Sequence, residues 1–127
     1  MCTVSYISKG KNQFILTSKR DENAARSPQN ISRVEKNGVE LLFPRDSGAG
    51  GTWICVSNTN KVICLLNGAF EQYNRRFPYR MSRGLMALDF FQLPDAQTFF
   101  DTFEFEGMEP FTMVTYDDGD LWDVRWD

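Results

Sequence analysis

Two neighbouring stretches in the middle of the chain are apolar at successive positions, and they constrain the fold more than any other feature. One reads Trp-Ile-Cys-Val at 53–56 and the other reads Val-Ile-Cys-Leu-Leu at 62–66. The polar residues at 58–60 favour a turn between them, so the pattern predicts two paired strands. Strands that are apolar on successive residues are covered on both faces of their sheet. We therefore expect an interior sheet with other layers packed against it.

More strands and two helices are predicted around this sheet. The other strands are predicted at 1–8, 13–18, 39–43, 111–116 and 121–126, of which the first two and the last two form hairpins. Helices are predicted at 85–91 and 94–103, with Pro94 in the first turn of the second helix. Its Phe99, Phe100 and Phe103 lie on one side as core residues. The segments 23–37 and 44–51 are predicted loops, and the whole is an α+β fold.

The composition fits one globular domain. A chain of 127 residues with 42% hydrophobic residues and 11 phenylalanines can bury a substantial core. Its net charge of −3 gives no reason to expect nucleic-acid binding. The chain has no apolar run of membrane-span length and does not begin like a signal peptide. We expect a cytoplasmic protein of 1–127 as a single domain, without a membrane span and of undetermined oligomeric state.

The absence of histidine restricts the chemistry. Without this residue the chain cannot form a Ser-His-Asp or Cys-His catalytic site, nor a histidine-ligated metal or haem site. Its three cysteines, Cys2, Cys55 and Cys64, fit neither a disulfide framework nor a zinc site. We expect no metal and no cofactor, and we expect Cys55 and Cys64 to be small buried apolar residues.

Cys2 is the strongest candidate for chemistry. Removal of Met1 would give this residue a free α-amine beside its thiol, and the two groups have ordinary pKa values of about 8 and 8.5. They would then be a matched base and nucleophile on one residue. The alternative is that any residue can follow Met1, so that a cysteine there has no significance.

The N-terminal hairpin places a charged pair beside Cys2. Arg20 and Asp21 follow the second strand, and antiparallel pairing brings that end next to the start of the first strand. A guanidinium near a thiol lowers the thiol pKa, and a carboxylate near the amine can orient it.

Other segments allow both a functional and a purely structural interpretation. Asn67 could donate to an oxyanion, or it could form a turn with the glycine that follows. The acidic run 117–120 could bind calcium, but a turn fits its spacing better. The glycine-rich run 48–51 could hold a phosphate, but it lacks the helix that should follow. Four arginines interleaved with tyrosines form either an anion site or a solvated loop: Arg75, Arg76, Arg80 and Arg83.

Five motifs occur together in one order. They are Met1-Cys2, Lys19-Arg20-Asp21-Glu22, Gly50-Gly51-Thr52-Trp53, Leu65-Leu66-Asn67 and Ser82-Arg83-Gly84. In this order the chain resembles the transport and Golgi organisation protein 2 family, which is also named after its Asn-Arg-Asp-Glu motif. Lys19 stands where that motif has asparagine, and glycine follows Asn67 where the family usually has tyrosine. The resemblance is clearest over residues 1–91.

The resemblance implies a fold and a chemistry. The family is similar to the N-terminal-nucleophile hydrolases, which are αββα sandwiches, and its members extend past the equivalent of Asp127. We therefore expect the N-terminal portion of such a sandwich. Cys2 would be the nucleophile of an amidohydrolase that cleaves a linear, non-peptide amide of a small-molecule or lipid-like substrate. Arg20 and Asp21 would tune Cys2, and Asn67 would form the oxyanion hole.

The same resemblance implies binding residues and a second function. Gly51, Thr52, Trp53 and Arg83 lie in the matching motifs and are the expected substrate-binding residues. The alternative function is non-enzymatic: binding or trafficking of an acyl-CoA, another lipid or haem, with the arginines of 75–83 on the acidic groups. Eukaryotic relatives are associated with Golgi organisation and secretion.

Overall fold

The computed structural model describes residues 2–127. The expected removal of Met1 therefore lies outside the described residues. Within this range the chain forms a two-stranded sheet, a six-stranded sheet and two short α-helices. The predicted α+β class is confirmed. None of the helices in this range is long and apolar enough to span a membrane.

The N-terminal hairpin forms as predicted. Its strands are β1 (Thr3–Gly10) and β2 (Gln13–Lys19), and the two residues between them have φ values of 49° and 60°. Such left-handed backbone is typical of tight hairpin turns. The register pairs Thr3 with Lys19. Cys2 therefore lies beside the residues that follow β2, as the pairing argument predicts.

The six-stranded sheet follows the order of the chain, and every neighbouring pair of strands is antiparallel. Its strands are β3 (Ile31–Lys36), β4 (Val39–Pro44), β5 (Ile54–Ser57), β6 (Lys61–Asn67), β7 (Phe111–Asp117) and β8 (Asp120–Trp126). Asp118 and Gly119 have φ values of 43° and 107° and form the turn predicted from the Asp-Gly pair. The connection between β6 and β7 carries both helices.

The prediction of a loop over 23–37 is wrong in its second half. β3 occupies that part, and the first half contains one 3-10 turn at Ala24–Arg26. Only two residues of β3 are apolar, and the strand forms an edge of the sheet, where Ile31 is 66% exposed. An edge strand that buries so little leaves a weak periodic signal in the sequence.

The two helices are α1 (Arg83–Asp89) and α2 (Ala96–Thr102). The Ser82 hydroxyl accepts from the N–H of Leu85 at 3.3 Å, and it caps α1. The Asp95 carboxylate accepts from the N–H of Thr98 at 2.7 Å and caps α2. The second helix therefore begins later than predicted, and Pro94 precedes the cap instead of occupying the first turn.

The main core lies between the helices and the six-stranded sheet. Residues of α1 and α2 pack on the odd-numbered residues of β6, and Phe99 is completely buried, with Phe100 and Phe103 beside it. The predicted core role of these phenylalanines is confirmed. Cys55 and Cys64 are buried as predicted.

The β1–β2 hairpin covers part of the opposite face of the sheet. The ring of Phe14 packs on that of Tyr116, with centroids 4.5 Å apart. β6 is covered on both faces as predicted, since Ile63 and Cys64 are fully buried. Coverage is incomplete over β5, where Val56 is 42% exposed, because a two-stranded sheet is too narrow to cover six strands. The layers are hairpin, sheet and helices.

Candidate active site

A cavity of about 230 Å³ opens where the start of β1, the ends of β2 and β6, the start of β5 and the start of α1 meet. Its lining includes every site residue expected from the sequence: Cys2, Arg20, Asp21, Gly51, Thr52, Trp53, Asn67 and Arg83. These residues come from five separate segments of the chain. The fold therefore brings all eight together.

Cys2 lies on the wall that the hairpin contributes. Its sulfur accepts a hydrogen bond from the backbone N–H of Asp21, with Sγ and N 3.4 Å apart. The thiol also lies 3.9 Å from the carbonyl oxygen of the same residue. These two contacts hold the sulfur against the backbone of Asp21 in the lining of the cavity.

Arg20 forms the adjacent part of the wall. Its guanidinium carbon lies 4.0 Å from the centre of the Trp53 ring, a cation–π arrangement. The same group donates to a carboxylate oxygen of Asp46 and, at 3.4 Å, to the carbonyl oxygen of Arg26. Only 18% of the Arg20 side chain is exposed. The cation is therefore held in one place.

Asp46 is a site residue that the sequence analysis missed. Its side chain is 5% exposed and accepts from Arg20, from Arg26 at 3.0 Å, and from the backbone N–H groups of Gly48 and Ala49 at 2.9 Å each. Burial opposes its ionisation, but these N–H groups and guanidiniums outweigh it and lower the pKa of Asp46. The Asp-Ser-Gly sequence signals a turn, and nothing local signals the arginines.

The glycine-rich run after Asp46 holds this residue instead of a phosphate. The backbone N–H groups that could have bound an anion are directed at the carboxylate of Asp46. The structural interpretation of 48–51 as a loop is therefore the better one.

A second ionic cluster also lines the cavity. Arg83 is buried and donates to the hydroxyl of Tyr73 at 2.8 Å and to the carbonyl of Pro110 at 2.6 Å, and it pairs with Glu109 at 3.1 Å. Arg75 pairs with the same carboxylate at 3.0 Å. Burial raises the pKa of Tyr73, and its bond to Glu109 raises it further. The guanidinium of Arg83 is thus already occupied by partners within the protein.

Gly51 and Thr52 have clear roles in packing. A Cβ on Gly51 would lie 2.8 Å from the Cα of Gly84 and 2.7 Å from the backbone nitrogen of Leu85. The Thr52 hydroxyl bonds the carbonyl groups of Pro44 and Ile54, both at 2.8 Å. The loop before β5 can therefore approach α1 closely only because residue 51 has no side chain.

Asn67 ends β6, where it is exposed and pairs with Phe111 across the ladder. Among residues 2–127 its side-chain amide makes no hydrogen bond, so it is available to a ligand in the cavity. Leu65 lies two residues earlier on the same side of β6 and also lines the cavity.

The remaining candidates do not converge on this site in the same way. Arg80 donates to the carbonyl groups of Glu104 and, at 3.3 Å, of Glu106, whereas the side chain of Arg76 is exposed. The acidic run at 117–120 forms the β7–β8 turn. In the described part of the chain, no group of three or more acidic or cysteine side chains is arranged to hold a metal ion.

The fold and the cavity define an α+β protein whose cavity is lined by a cysteine and by two ionic clusters. One cluster holds Arg20 and the other holds Arg83. The lining carries four arginines and four carboxylates, so its formal charges cancel. Residues 1–121 match the family described as Transport and Golgi organisation 2, and the chain belongs to that family. No curated protein matches the chain, and no solved structure does.

Proposed function

We propose that this protein is an N-terminal-cysteine amidohydrolase, built on part of the αββα sandwich of N-terminal-nucleophile hydrolases. Its substrate is a small molecule or lipid-like compound with a linear, non-peptide amide bond. The proposal requires that Met1 be removed, so that Cys2 carries a free amine. The observation that carries it is the meeting of Cys2, Arg20, Asp21 and Asn67 in one cavity.

The reaction follows from the groups at Cys2. The amine takes the thiol proton, and the sulfur attacks the carbonyl carbon of the amide to give a tetrahedral oxyanion. The C–N bond then breaks, the resulting ammonium gives its proton to the leaving nitrogen, and a thioester remains. Water, deprotonated by the same amine, attacks the thioester. The sulfur leaves with that proton, and a carboxylic acid is released.

The surrounding residues have distinct roles in this proposal. The guanidinium of Arg20 supplies a positive charge in the cavity that Cys2 lines, and Asp21 orients the new amine, while its backbone N–H contacts the sulfur. Asn67 donates its free amide to the oxyanion. Trp53 and the residues around Gly51 shape the cavity that receives the acyl or amine group.

The first experiment tests the nucleophile. Intact-mass measurement should show loss of Met1, and peptide mapping after brief iodoacetamide treatment should show alkylation mainly at Cys2. The other two thiols are matched internal controls. Burial raises the pKa of Cys55 to about 12, and burial also raises the pKa of Cys64. Retention of Met1, or equal labelling of the three thiols, would exclude the mechanism.

The second experiment tests the reaction. Incubation with a panel of small N-acyl amides should produce a mass increase on Cys2 that corresponds to the acyl group, followed by its loss in water. Cys2→Ala should abolish the acyl mass increase, whereas Cys55→Ala should retain it. Hydrolysis that survives in Cys2→Ala would show that the activity arises elsewhere.

A second candidate function is lipid binding without catalysis. An apolar groove of about 220 Å³ lies between the hairpin and the uncovered part of the large sheet, and it favours a lipid-like ligand. Its lining is apolar throughout: Leu16, Ile31, Leu42, Phe43, Pro44, Ile54, Cys55, Val56 and Val62. Titration with an acyl-CoA and with haem tests this candidate, and Val56→Asp should weaken binding in the groove. Absence of binding by both ligands would eliminate it.

A further inference from the structure

The two oxygens of the Asp46 carboxylate have different partners. Oδ1 accepts from the N–H groups of Gly48 and Ala49, and from the Nε of Arg26 at 3.3 Å. Oδ2 accepts from Arg20 and from a terminal nitrogen of Arg26. One oxygen therefore mainly closes the loop, while the other holds the guanidinium groups.

The loop itself fixes this carboxylate. The backbone N–H of Asp46 donates to the carbonyl of Gly51 at 2.8 Å, and the N–H of Gly50 donates to the backbone carbonyl of Asp46 at 3.0 Å. The hydroxyl of Ser47 bonds the carbonyl of Ala25 at 3.1 Å and ties the loop to the segment after β2. The anion thus has a rigid support before any arginine binds it.

Arg20 depends on that support. A free arginine side chain has many rotamers, and immobilising it costs conformational entropy. The stacking on Trp53 and the bond to Asp46 together offset this entropy. Without the anion, only the ring and one carbonyl oxygen would retain the guanidinium.

We propose that Asp46 is a positioning residue, which holds the guanidinium of Arg20 against Trp53 and thereby keeps a cation at the wall that Cys2 shares. The consequence for Cys2 rests on the proposed function, whereas the dependence of Arg20 on Asp46 does not. The opposing possibility is that Asp46 acts on Cys2 directly through its own negative charge. The two effects have opposite signs, because loss of the anion alone would favour the thiolate.

Alkylation rates separate these possibilities. Asp46→Asn keeps an oxygen for the loop and removes the charge that Arg20 needs. We expect the rate of Cys2 alkylation near neutral pH to fall about threefold, because the thiolate is the reactive form and a displaced cation stabilises it less. In an Arg20→Gln background the same substitution should have no effect. A faster rate, or an equal decrease in both backgrounds, would overturn the proposal.

Glu22→Gln is the matched control for loss of charge. Glu22 lines the same cavity and pairs with Arg26 at 2.9 Å, but it does not contact Arg20. Its removal should therefore not slow alkylation of Cys2. A decrease as large as that of Asp46→Asn would mean that any carboxylate on this wall acts alike, which would contradict the proposal.

A spectroscopic measurement tests the position of Arg20 without reference to Cys2. The chain has three tryptophans, so the indole N–H resonance of Trp53 can be assigned with Trp53→Phe. Asp46→Asn should shift this resonance, because the guanidinium leaves the ring, and Glu22→Gln should not. An unshifted resonance in folded Asp46→Asn would refute the positioning role.

The unmodified protein provides the test if Asp46→Asn does not fold. As the pH falls, the Trp53 resonance should move at a pH below the ordinary titration range of aspartate. This change should come before the dispersed core signals are lost. A resonance that keeps its position until those signals disappear would refute the proposal. If Trp53 responds as expected but Cys2 is unreactive and no amide is cleaved, the proposed function alone fails.

Discussion

Replacing Gly51 with alanine should destabilise the protein by an amount that the structure allows us to estimate. The new Cβ would lie 2.7 Å from the backbone nitrogen of Leu85 and 2.8 Å from the Cα of Gly84. Ordinary contacts need about 3.5 Å or more, so α1 must move away from the loop. Such overpacking costs about 1–3 kcal/mol. The hydrogen bond from the N–H of Thr52 to the carbonyl of Gly84, 3.2 Å long, would also be lost, which would lower the free energy of unfolding by about 1 kcal/mol more.

The expected total is about 2–4 kcal/mol of the free energy of unfolding, a large part of the 5–15 kcal/mol of a typical domain. Urea unfolding followed by tryptophan fluorescence measures this change. Gly48→Ala is the matched control, because its Cβ would meet only side-chain atoms, at 3.3 Å or more. We expect that control to change stability by less than about 1 kcal/mol.

The outcome also distinguishes two roles for Gly51. If this glycine serves only to leave room for a substrate, Gly51→Ala should weaken ligand binding and leave the urea midpoint unchanged. If the close approach to Gly84 is its main role, the stability of Gly51→Ala should fall. Gly84→Ala should then be destabilised as well. A Gly51→Ala protein as stable as the Gly48→Ala control would refute our reasoning.

Three further predictions concern charged side chains. Because the pKa of Asp46 is lowered in the folded state, its stabilising contribution is present above the unfolded pKa and is lost as the pH falls through the folded pKa. The decrease in urea midpoint between about pH 6 and pH 3 should therefore be smaller in Asp46→Asn than in the unmodified protein. Equal decreases in the two proteins would contradict this contribution of Asp46. Arg83→Met should cost about 3 kcal/mol, because Glu109 is left partly buried with one exposed cation, Arg75, as its ionic partner, whereas the exposed control Arg76→Met should change little. Similar urea midpoints for these two variants would disprove this account. Lys61 is buried and donates to two carbonyl groups at 2.8 Å each, so Lys61→Met should cost about 2 kcal/mol, and unchanged thermal unfolding would exclude that role.

Local sequence patterns were enough to predict most of the strands. The hairpins around 9–12 and 117–120 carry turn residues between apolar runs, and both form. The strand at 31–36 was not predictable in this way, because it lies at an edge with only two apolar residues and its pairing with β4 leaves no strong pattern in the sequence. The start of α2 was misplaced, since both Pro94 and Asp95 are acceptable near a helix start and the cap is made by the aspartate.

The sequence by itself determined that Cys2 would lie beside the residues that follow β2, Arg20 and Asp21. Antiparallel pairing across a short turn is a local property, so it needs no knowledge of the rest of the chain. Only the tertiary structure decided that Asp46 and Glu109 hold the arginines of the two ionic clusters. These pairs join residues about 26 positions apart in sequence, and no local pattern records such a distance. Their geometry arises when the loops, the sheet and α1 pack together, because burial then requires each charge to find a partner.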